Sequence, residues 1–371
     1  MPNKRTRREL LRDGALIATG VAVAGTARAA AQEAPAGGRK VRVALLSMAH
    51  VHAAGYAQEL ARDRERAQIT CVWDDDPDRG RPFAERYRVP FTQNLEEALS
   101  RDDVDAVCIN AETSKHHDIM LAAATRKKHI FTEKALTITT KDADEVVRAV
   151  RSAGIKFMIS LPSRTDPEVL FCKQVLDRGA IGQVTLMRAR IAHSAALDGW
   201  FQGGSAWFGN QKLAGGGALF DLGCHTVDVM RWFLGQPARV MAIVDNVSGR
   251  YPIDDNSAAV VEFKNKALGM LDVSWVHRDG PNMWEIYGTE GYILRGAPGQ
   301  GLQFHSTKPA SELAGLDPAN LPPRLPSPMS QWLSAILRDE PTTITVEDGR
   351  NLTQMLEAIY TSSRSNKAVL F

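Results

Sequence analysis

Between residues 41 and 160, short β-branched runs alternate with amphipathic stretches, and this alternation restricts the fold more than any other feature. The runs are 41–47 (VRVALLS), 68–74 (QITCVWD), 106–110 (AVCIN), 129–133 (HIFTE) and 156–160 (KFMIS). Each has strand length. The segments between them, 53–64, 77–88, 114–126 and 140–154, carry apolar residues at helical spacing. Strands separated by helices join most economically in parallel, through right-handed crossovers, so this half predicts a doubly wound parallel sheet within an α/β protein.

After about residue 160 the pattern changes. A helical segment near 167–178 precedes β-rich runs at 183–191, 238–246, 257–263, 267–275 and 282–294. Few helices separate the later runs, which predicts a mainly antiparallel sheet. Pro318, Pro322, Pro323, Pro326 and Pro328 predict an extended surface segment, and 347–363 a final helix. At 371 residues the chain has room for about two domains. The expected division is a leader over 1–31, a parallel-sheet domain over 32–160, a second α/β domain over 161–346 and a C-terminal helix and tail over 347–371.

The leader reads KRTRRELLR at 4–12, then fourteen uncharged residues from Gly14 to Ala27, then Ala29, Ala30 and Ala31. The apolar stretch is shorter than the roughly 20 residues of a transmembrane helix, so no stable membrane span is expected. The segment resembles a twin-arginine export signal, whose translocase carries folded proteins, and this implies a periplasmic location. A retained basic arm is the competing reading. Cleavage after Ala31 turns the formal charge from +2 to −2. No basic stripe interleaved with aromatics appears, so nucleic acid is not an expected partner and a small molecule is. Cys71 and Cys108 fall inside strand runs, where small hydrophobes are the rule, and all four cysteines are expected as free thiols.

In an open parallel sheet, ligands bind beyond the carboxyl ends of the strands. The residues there include Ser47, Ala49, His50 and His52, then Asp74, Asn110, Glu112, Glu133 and Lys134. A dinucleotide site calls for G-x-G-x-x-G at the first turn, where absent side chains let amides approach a diphosphate. Here Ser47 and Ala49 hold the first two glycine positions and His52 the third. Asp74 ends the second strand, where an acid accepts ribose hydroxyls and opposes a 2′-phosphate, favouring NAD over NADP. Further along, Gly215–Gly217 precede Asp221 and His225, four apart in a helix-period run and so on one face. They suit an acid and base pair; a flexible loop with a capping Asp and a core-edge His is the plainer reading.

FTEKAL (131–136), GGGALFDLGCHTVD (215–228) and AVCINAETSKHHDIMLAAA (106–124) together resemble the Gfo/Idh/MocA oxidoreductases, over essentially all of residues 40–371. That resemblance implies an N-terminal Rossmann domain for NAD or NADP. It also implies a C-terminal α/β domain whose large open sheet carries a sugar or polyol substrate and the contacts of a homo-oligomer, a dimer or tetramer. Lys134 matches the family's E-K-P lysine, Asp221 the acid of its glycine-rich helix and His225 its catalytic histidine. The chain departs from the family at Ala135, at Glu112 and in the SMAHVH turn, which resembles a subset with A-H-x-H-A followed by Gly55 and Tyr56.

Oxidising a secondary alcohol needs a base and a cation for the developing alkoxide. The expectation is therefore His225 as base, Asp221 orienting it and Lys134 polarising the hydroxyl. Ser47, Ala49, His50, His52, Asp74, Asn110, Glu112, His116 and Glu133 are expected at the cofactor, and Arg164, Trp207 and Lys212 at the substrate. Trp200, Phe201 and Phe208 beside Trp207 are either sugar platforms or packing. Export implies a tightly held cofactor, recycled by a second substrate or by redox-neutral glycoside cleavage. The competitors are a metal-dependent enzyme, with His50 and His52 meeting Glu112, His116 and His117, and a sugar-binding protein with a decayed site. His129, His193, His277 and His305 are expected to be structural.

Overall fold

The computed structural model describes residues 38–371 apart from 279, 297 and 298; the expected export signal and its expected boundary after Ala31 lie outside the described residues. The first half runs β1 (Val41–Leu46), α1 (Ala53–Arg62), β2 (Ala67–Trp73), α2 (Pro77–Tyr87), β3 (Phe91–Thr92), α3 (Leu95–Ser100), β4 (Ala106–Ile109), α4 (His116–Thr125), β5 (His129–Thr132), α5 (Thr140–Ala153) and β6 (Phe157–Ile159). The six strands pair in parallel in the order β3-β2-β1-β4-β5-β6. The order reverses between β1 and β4, which opens a crevice at their carboxyl ends. β4 is buried along its whole length, as expected of a strand covered on both faces.

Polar caps start the helices beside this crevice. Asp76 accepts the Asp78 amide with Pro77 at the first helical position of α2, and Thr139 accepts the Asp142 amide of α5. The short β3 and α3 were not evident in the sequence, because two strand residues and six helical ones carry too little period to register.

The second half contains α6 (Pro167–Asp177), β7 (Val184–Ala192), α7 (Cys224–Leu234), β8 (Pro237–Asp245), β9 (Asn256–Phe263), β10 (Leu268–Ser274), β11 (Trp284–Gly288), β12 (Gly291–Arg295), β13 (Gln303–Ser306), α8 (Pro328–Arg338), α9 (Val346–Ser365) and β14 (Val369–Leu370). Its eight strands lie in the order β13-β12-β11-β7-β10-β9-β8-β14. Neighbours are antiparallel except β7 and β10, which are parallel because α7 and the strap preceding it carry the chain across between them. The expected run 282–294 is a hairpin that turns at Thr289 and Glu290. Helices α7 and α9 cover one face. On the other, Met241, Val260 and Met270 are cross-strand neighbours and remain exposed.

Pro328 does not continue an extended segment. It occupies the first helical position of α8, capped by the Ser327 hydroxyl, and α8 packs on α1, β1, β5 and β6. Residues 328–338 therefore return to the parallel sheet. All four cysteines are free and buried, and burial pushes the thiols up, Cys71 to about 11 and Cys172 and Cys224 to about 12.

One buried ion pair holds the second half to the end of β6. Arg164 meets Asp228 of α7 bidentately at 2.9 and 2.6 Å and Asp348 of α9 at 3.0 Å. Removing one partner of such a pair strands a charge in a dry interior. Asp228→Ala is expected to lower stability by about 3–5 kcal/mol, read from urea midpoints; a loss under about 1 kcal/mol contradicts this role.

Candidate active site

The first turn is built without its usual glycines. Ser47 follows β1 at φ 65°, the left-handed conformation that glycine adopts most cheaply. The side chain compensates: Ser47 Oγ accepts the Ala49 amide at 3.3 Å and lies 3.5 Å from Asp74 Oδ2. The Met48 amide donates to Asp74 at 2.7 Å and the His50 amide to the Asn110 carbonyl at 2.9 Å. Asn110 in turn donates its side-chain amide to the Ser47 carbonyl at 3.3 Å. Among the described residues the exposed Val51 and Ala54 amides, at the start of α1, have no protein acceptor.

Asp74 is buried and saturated. Besides Met48 it accepts the Asp76 amide at 3.0 Å and a forked contact from Arg79, the shortest leg at 2.6 Å. Arg79 also meets Asp75 at 2.8 Å and Glu112 at 3.1 Å, and Lys115 joins Glu112 at 2.9 Å and Asp75 at 2.5 Å. Three carboxylates thus face two cations. A cleft of about 400 Å³ opens beside them, lined by Asp76, Asp78, Arg79, Glu112, Gly203, Gly204 and Trp207.

At the end of β5, Glu133 is fully buried. Its Oε1 takes the Tyr56 hydroxyl at 2.5 Å and lies 2.8 Å from His52 Nδ1 and 3.4 Å from His50 Nδ1, while Oε2 accepts the Lys134 amide at 3.0 Å. Burial works to raise this carboxyl, but the surrounding imidazoles and the Lys134 ammonium hold it well below the usual range.

Lys134 Nζ donates to Asp221 twice, to the carbonyl at 2.8 Å and to Oδ1 at 3.0 Å. Burial pulls the ammonium down, yet Asp221 holds it above its ordinary value; Asp221 itself, raised by burial, is brought down to about 2 by Lys134. The Trp275 indole donates to the second Asp221 oxygen at 3.2 Å. Asp221 therefore orients Lys134, where the sequence predicts that it orients His225. The reason is local: Leu219–Gly223 is a turn of π-helix, which breaks the i, i+4 alignment assumed for an α-helix. His225 lies near both groups, and burial together with Lys134 pushes its imidazole down to about 3.

The glycine run serves close packing. A Cβ at Gly217 would meet the Asp254 carbonyl at 1.9 Å, and one at Gly216 the Tyr360 hydroxyl at 2.1 Å. The flexible-loop reading fails accordingly.

Several expected site residues stand elsewhere. His116 is buried between the carbonyls of Ala135 and Ala111, and His117 pairs with Asp118 and Glu145 on the surface of the helices. Glu112 belongs to Arg79, so the expected cluster of His50, His52, Glu112, His116 and His117 does not form. Arg164 is committed to Asp228 and does not reach the site, and Lys212 is exposed on the one-turn helix Gln211–Ala214. Trp207 donates its indole N–H to the Ala49 carbonyl at 3.0 Å and stacks on Phe208 at 3.9 Å, which itself stacks on Phe201. These three rings tether a strap over the first turn. Trp200, against His193 at 4.7 Å, is the exposed ring of the group.

Sequence reasoning missed three residues. Tyr56 donates to Glu133 and the Trp275 indole to Asp221, while the His193 imidazole, pushed down by burial, is partly offset by the charge of Asp221. His193 follows β7 directly, so a search of strand ends in the second sheet, as well as the first, finds it.

Residues 20–161 match the family model described as an oxidoreductase family with an NAD-binding Rossmann fold, and residues 169–294 match the Gfo/Idh/MocA C-terminal domain. The chain is 27% identical over 290 residues to 1,5-anhydro-D-fructose reductase of Ensifer adhaerens, covering 76% of this chain and 84% of that protein. It is 27% identical over 272 residues to scyllo-inositol 2-dehydrogenase (NAD+) of Bacillus subtilis strain 168, covering 69% and 74%. The fold matches the WlbA dehydrogenase from Bordetella pertussis, solved with NADH and UDP-GlcNAcA, at a TM-score of 0.80 and 17% identity over 91% of this chain and 99% of that one. With a Rossmann half and a C-terminal half matched in order, the chain belongs to the Gfo/Idh/MocA family of oxidoreductases.

Proposed function

We propose that the protein oxidises a secondary hydroxyl of a sugar or polyol, using tightly held NAD. The observation that carries this reading is the buried pair of Lys134, just beyond the carboxyl end of β5, and Asp221, with His225 at the start of the helix that follows. The residues fit a dinucleotide: Ser47 keeps the backbone shape that glycine otherwise supplies, and the free Val51 and Ala54 amides at the start of α1 suit a diphosphate. The excess of carboxylates around Arg79 and Lys115 disfavours a 2′-phosphate, which supports NAD over NADP. The relatives named for anhydrofructose and scyllo-inositol support a polyhydroxylated substrate.

Oxidation removes the carbinol C–H as hydride, with both electrons, and the O–H as a proton, leaving a C=O bond. Nicotinamide, when bound, supplies the hydride acceptor. Lys134, fixed by Asp221, presents an ammonium to the hydroxyl oxygen and stabilises negative charge as the proton leaves. His225 is neutral because burial and, after it, Lys134 disfavour its cation, so its lone pair is free to accept that proton. Its partial exposure gives the proton a way to solvent. Trp207, bonded to the turn at Ala49, supports retention of the cofactor.

The N-terminal residues 4–31 support export to the periplasm by the twin-arginine translocase, with cofactor loaded before transit. The exposed apolar row Met241, Val260 and Met270 supports a homo-oligomer formed through the open sheet.

Denaturing the purified protein is expected to release close to one NAD(H) per chain and little NADP(H), identified by mass spectrometry; no dinucleotide, or mostly NADP(H), counts against the cofactor assignment. His225→Ala is expected to lower kcat by about 10²–10⁴-fold on an active polyol. Because the base is depressed from 6.5 to about 3, the acid limb of kcat/KM should fall far below pH 6.5. A limb near 6.5 that disappears in His225→Ala would refute the assigned protonation state.

A further inference from the structure

His50, His52, Glu133 and Tyr56 are not used by the hydride and proton transfers just described, although they converge on one another at the carboxyl end of the parallel sheet. His50 Nδ1 and His52 Nδ1 lie 3.4 and 2.8 Å from the same oxygen, Glu133 Oε1. One ligand atom from each of the three residues falls within 4.8 Å of the other two, and among the described residues no other group of His, Cys, Asp and Glu converges in this way. Around a metal at about 2.0–2.1 Å from tetrahedral ligands, neighbouring ligand atoms stand roughly 3.3 Å apart. The two contacts to Glu133, at 2.8 and 3.4 Å, bracket that spacing, and the ligand nitrogens of the two imidazoles lie within 4.8 Å of each other.

The hydrogen bonding of His50 points the same way. Its ring is almost wholly buried, and Nδ1 accepts the His52 amide at 3.3 Å, which places a lone pair on that nitrogen. The same nitrogen faces a carboxylate oxygen, so two acceptors meet with no proton between them. The proton then resides on Nε2, which is buried without a partner. Reversing the tautomer gives Glu133 a donor but takes the acceptor from the His52 amide, and Nε2 remains unpartnered. A cation between Nδ1 and Glu133 Oε1 would take that lone pair in place of the His52 amide, as the reversed tautomer does, and would hold the nitrogen and the carboxylate together as two donors to one charge.

We propose that His50, His52 and Glu133 form a binding site for one divalent transition metal ion of the zinc type. Two imidazoles and a carboxylate are a donor set for such ions, and three protein ligands leave a position open. The His52 side chain is 51% exposed while the other two ligands are buried, so solvent reaches the cluster from the His52 side. Glu133 supplies one negative charge, and the nearby Lys134 ammonium is already offset by Asp221. Tyr56, hydrogen-bonded to Glu133 Oε1 and to Ser160 Oγ at 2.7 Å, and the Lys134 amide on Oε2 fix the carboxylate from behind. The spacing H-x-H across the turn delivers both imidazoles to one carboxylate only because the turn is folded around Ser47. An ion here borders Lys134 and can take a hydroxyl oxygen of a polyol in its open position.

The test uses the whole mature protein, stripped with chelator and free of dinucleotide and sugar, so its failure leaves the oxidoreductase reading untouched. Titration with Zn²⁺, and with Co²⁺ followed by its visible absorption, is expected to show one ion per chain at micromolar affinity or tighter. His52→Ala, at a half-exposed position where folding is least at risk, and Glu133→Gln should each weaken binding at least 100-fold. His117→Ala, which alters the surface cluster with Asp118 and Glu145, should leave it unchanged. Circular dichroism establishes that each variant is folded. Absence of stoichiometric binding to the unaltered chain, or binding that survives His52→Ala or is lost with His117→Ala, overturns the proposal.

Discussion

The ion pair between Lys134 and Asp221 carries the arrangement of the site. Lys134 ends a strand of the parallel sheet, and Asp221 lies on the π-turn that leads into α7, so the pair joins the two halves where the crevice opens. Its burial makes it costly to separate, and both charges are pushed further toward their ionised forms by the other. Burial disfavours the His225 cation, and the same ammonium adds to that effect. One contact therefore positions the electrophilic group, fixes the neighbouring backbone and helps to keep the imidazole uncharged.

Much of the architecture was legible because the first half obeys a simple period. Its five longer strands and four longer helices stand where their sequences place them, and the Rossmann order follows from right-handed crossovers. The missing pieces have physical explanations. Phe91–Thr92 is too short to alternate, Pro328 serves as a helix start although it ends a proline-rich segment, and the parallel pairing of β7 with β10 depends on tertiary packing. Of the second sheet, β7 to β12 were legible as strands, with β11 and β12 read as one run; the short β13 and β14 and the strand order were not.

The candidate site divides along similar lines. The strand-end rule led to Glu133, Lys134 and Asp74, and the family resemblance to Asp221 and His225. The partners of these residues were another matter. Spacing suggested that Asp221 faces His225, but the π-turn gives it to Lys134. A polar inventory suggested Arg164 as a substrate ligand, but Asp228 and Asp348 claim its guanidinium. Tyr56 stands in the A-H-x-H-A-x-G-Y motif, which names no partner for it, and His193 directly follows a strand of the second sheet, where the parallel-sheet rule gives no signal. Residue type could be read in advance; which of several carboxylates a given cation chooses depended on packing.

The indole of Trp207 adds a consequence for the way the cleft behaves. Its single hydrogen bond runs from the second half to a carbonyl of the first turn, and its ring is sheltered against Phe208. Any parting of the halves at this point would break that bond and wet the ring, and would alter the indole's emission against the background of the six other tryptophans.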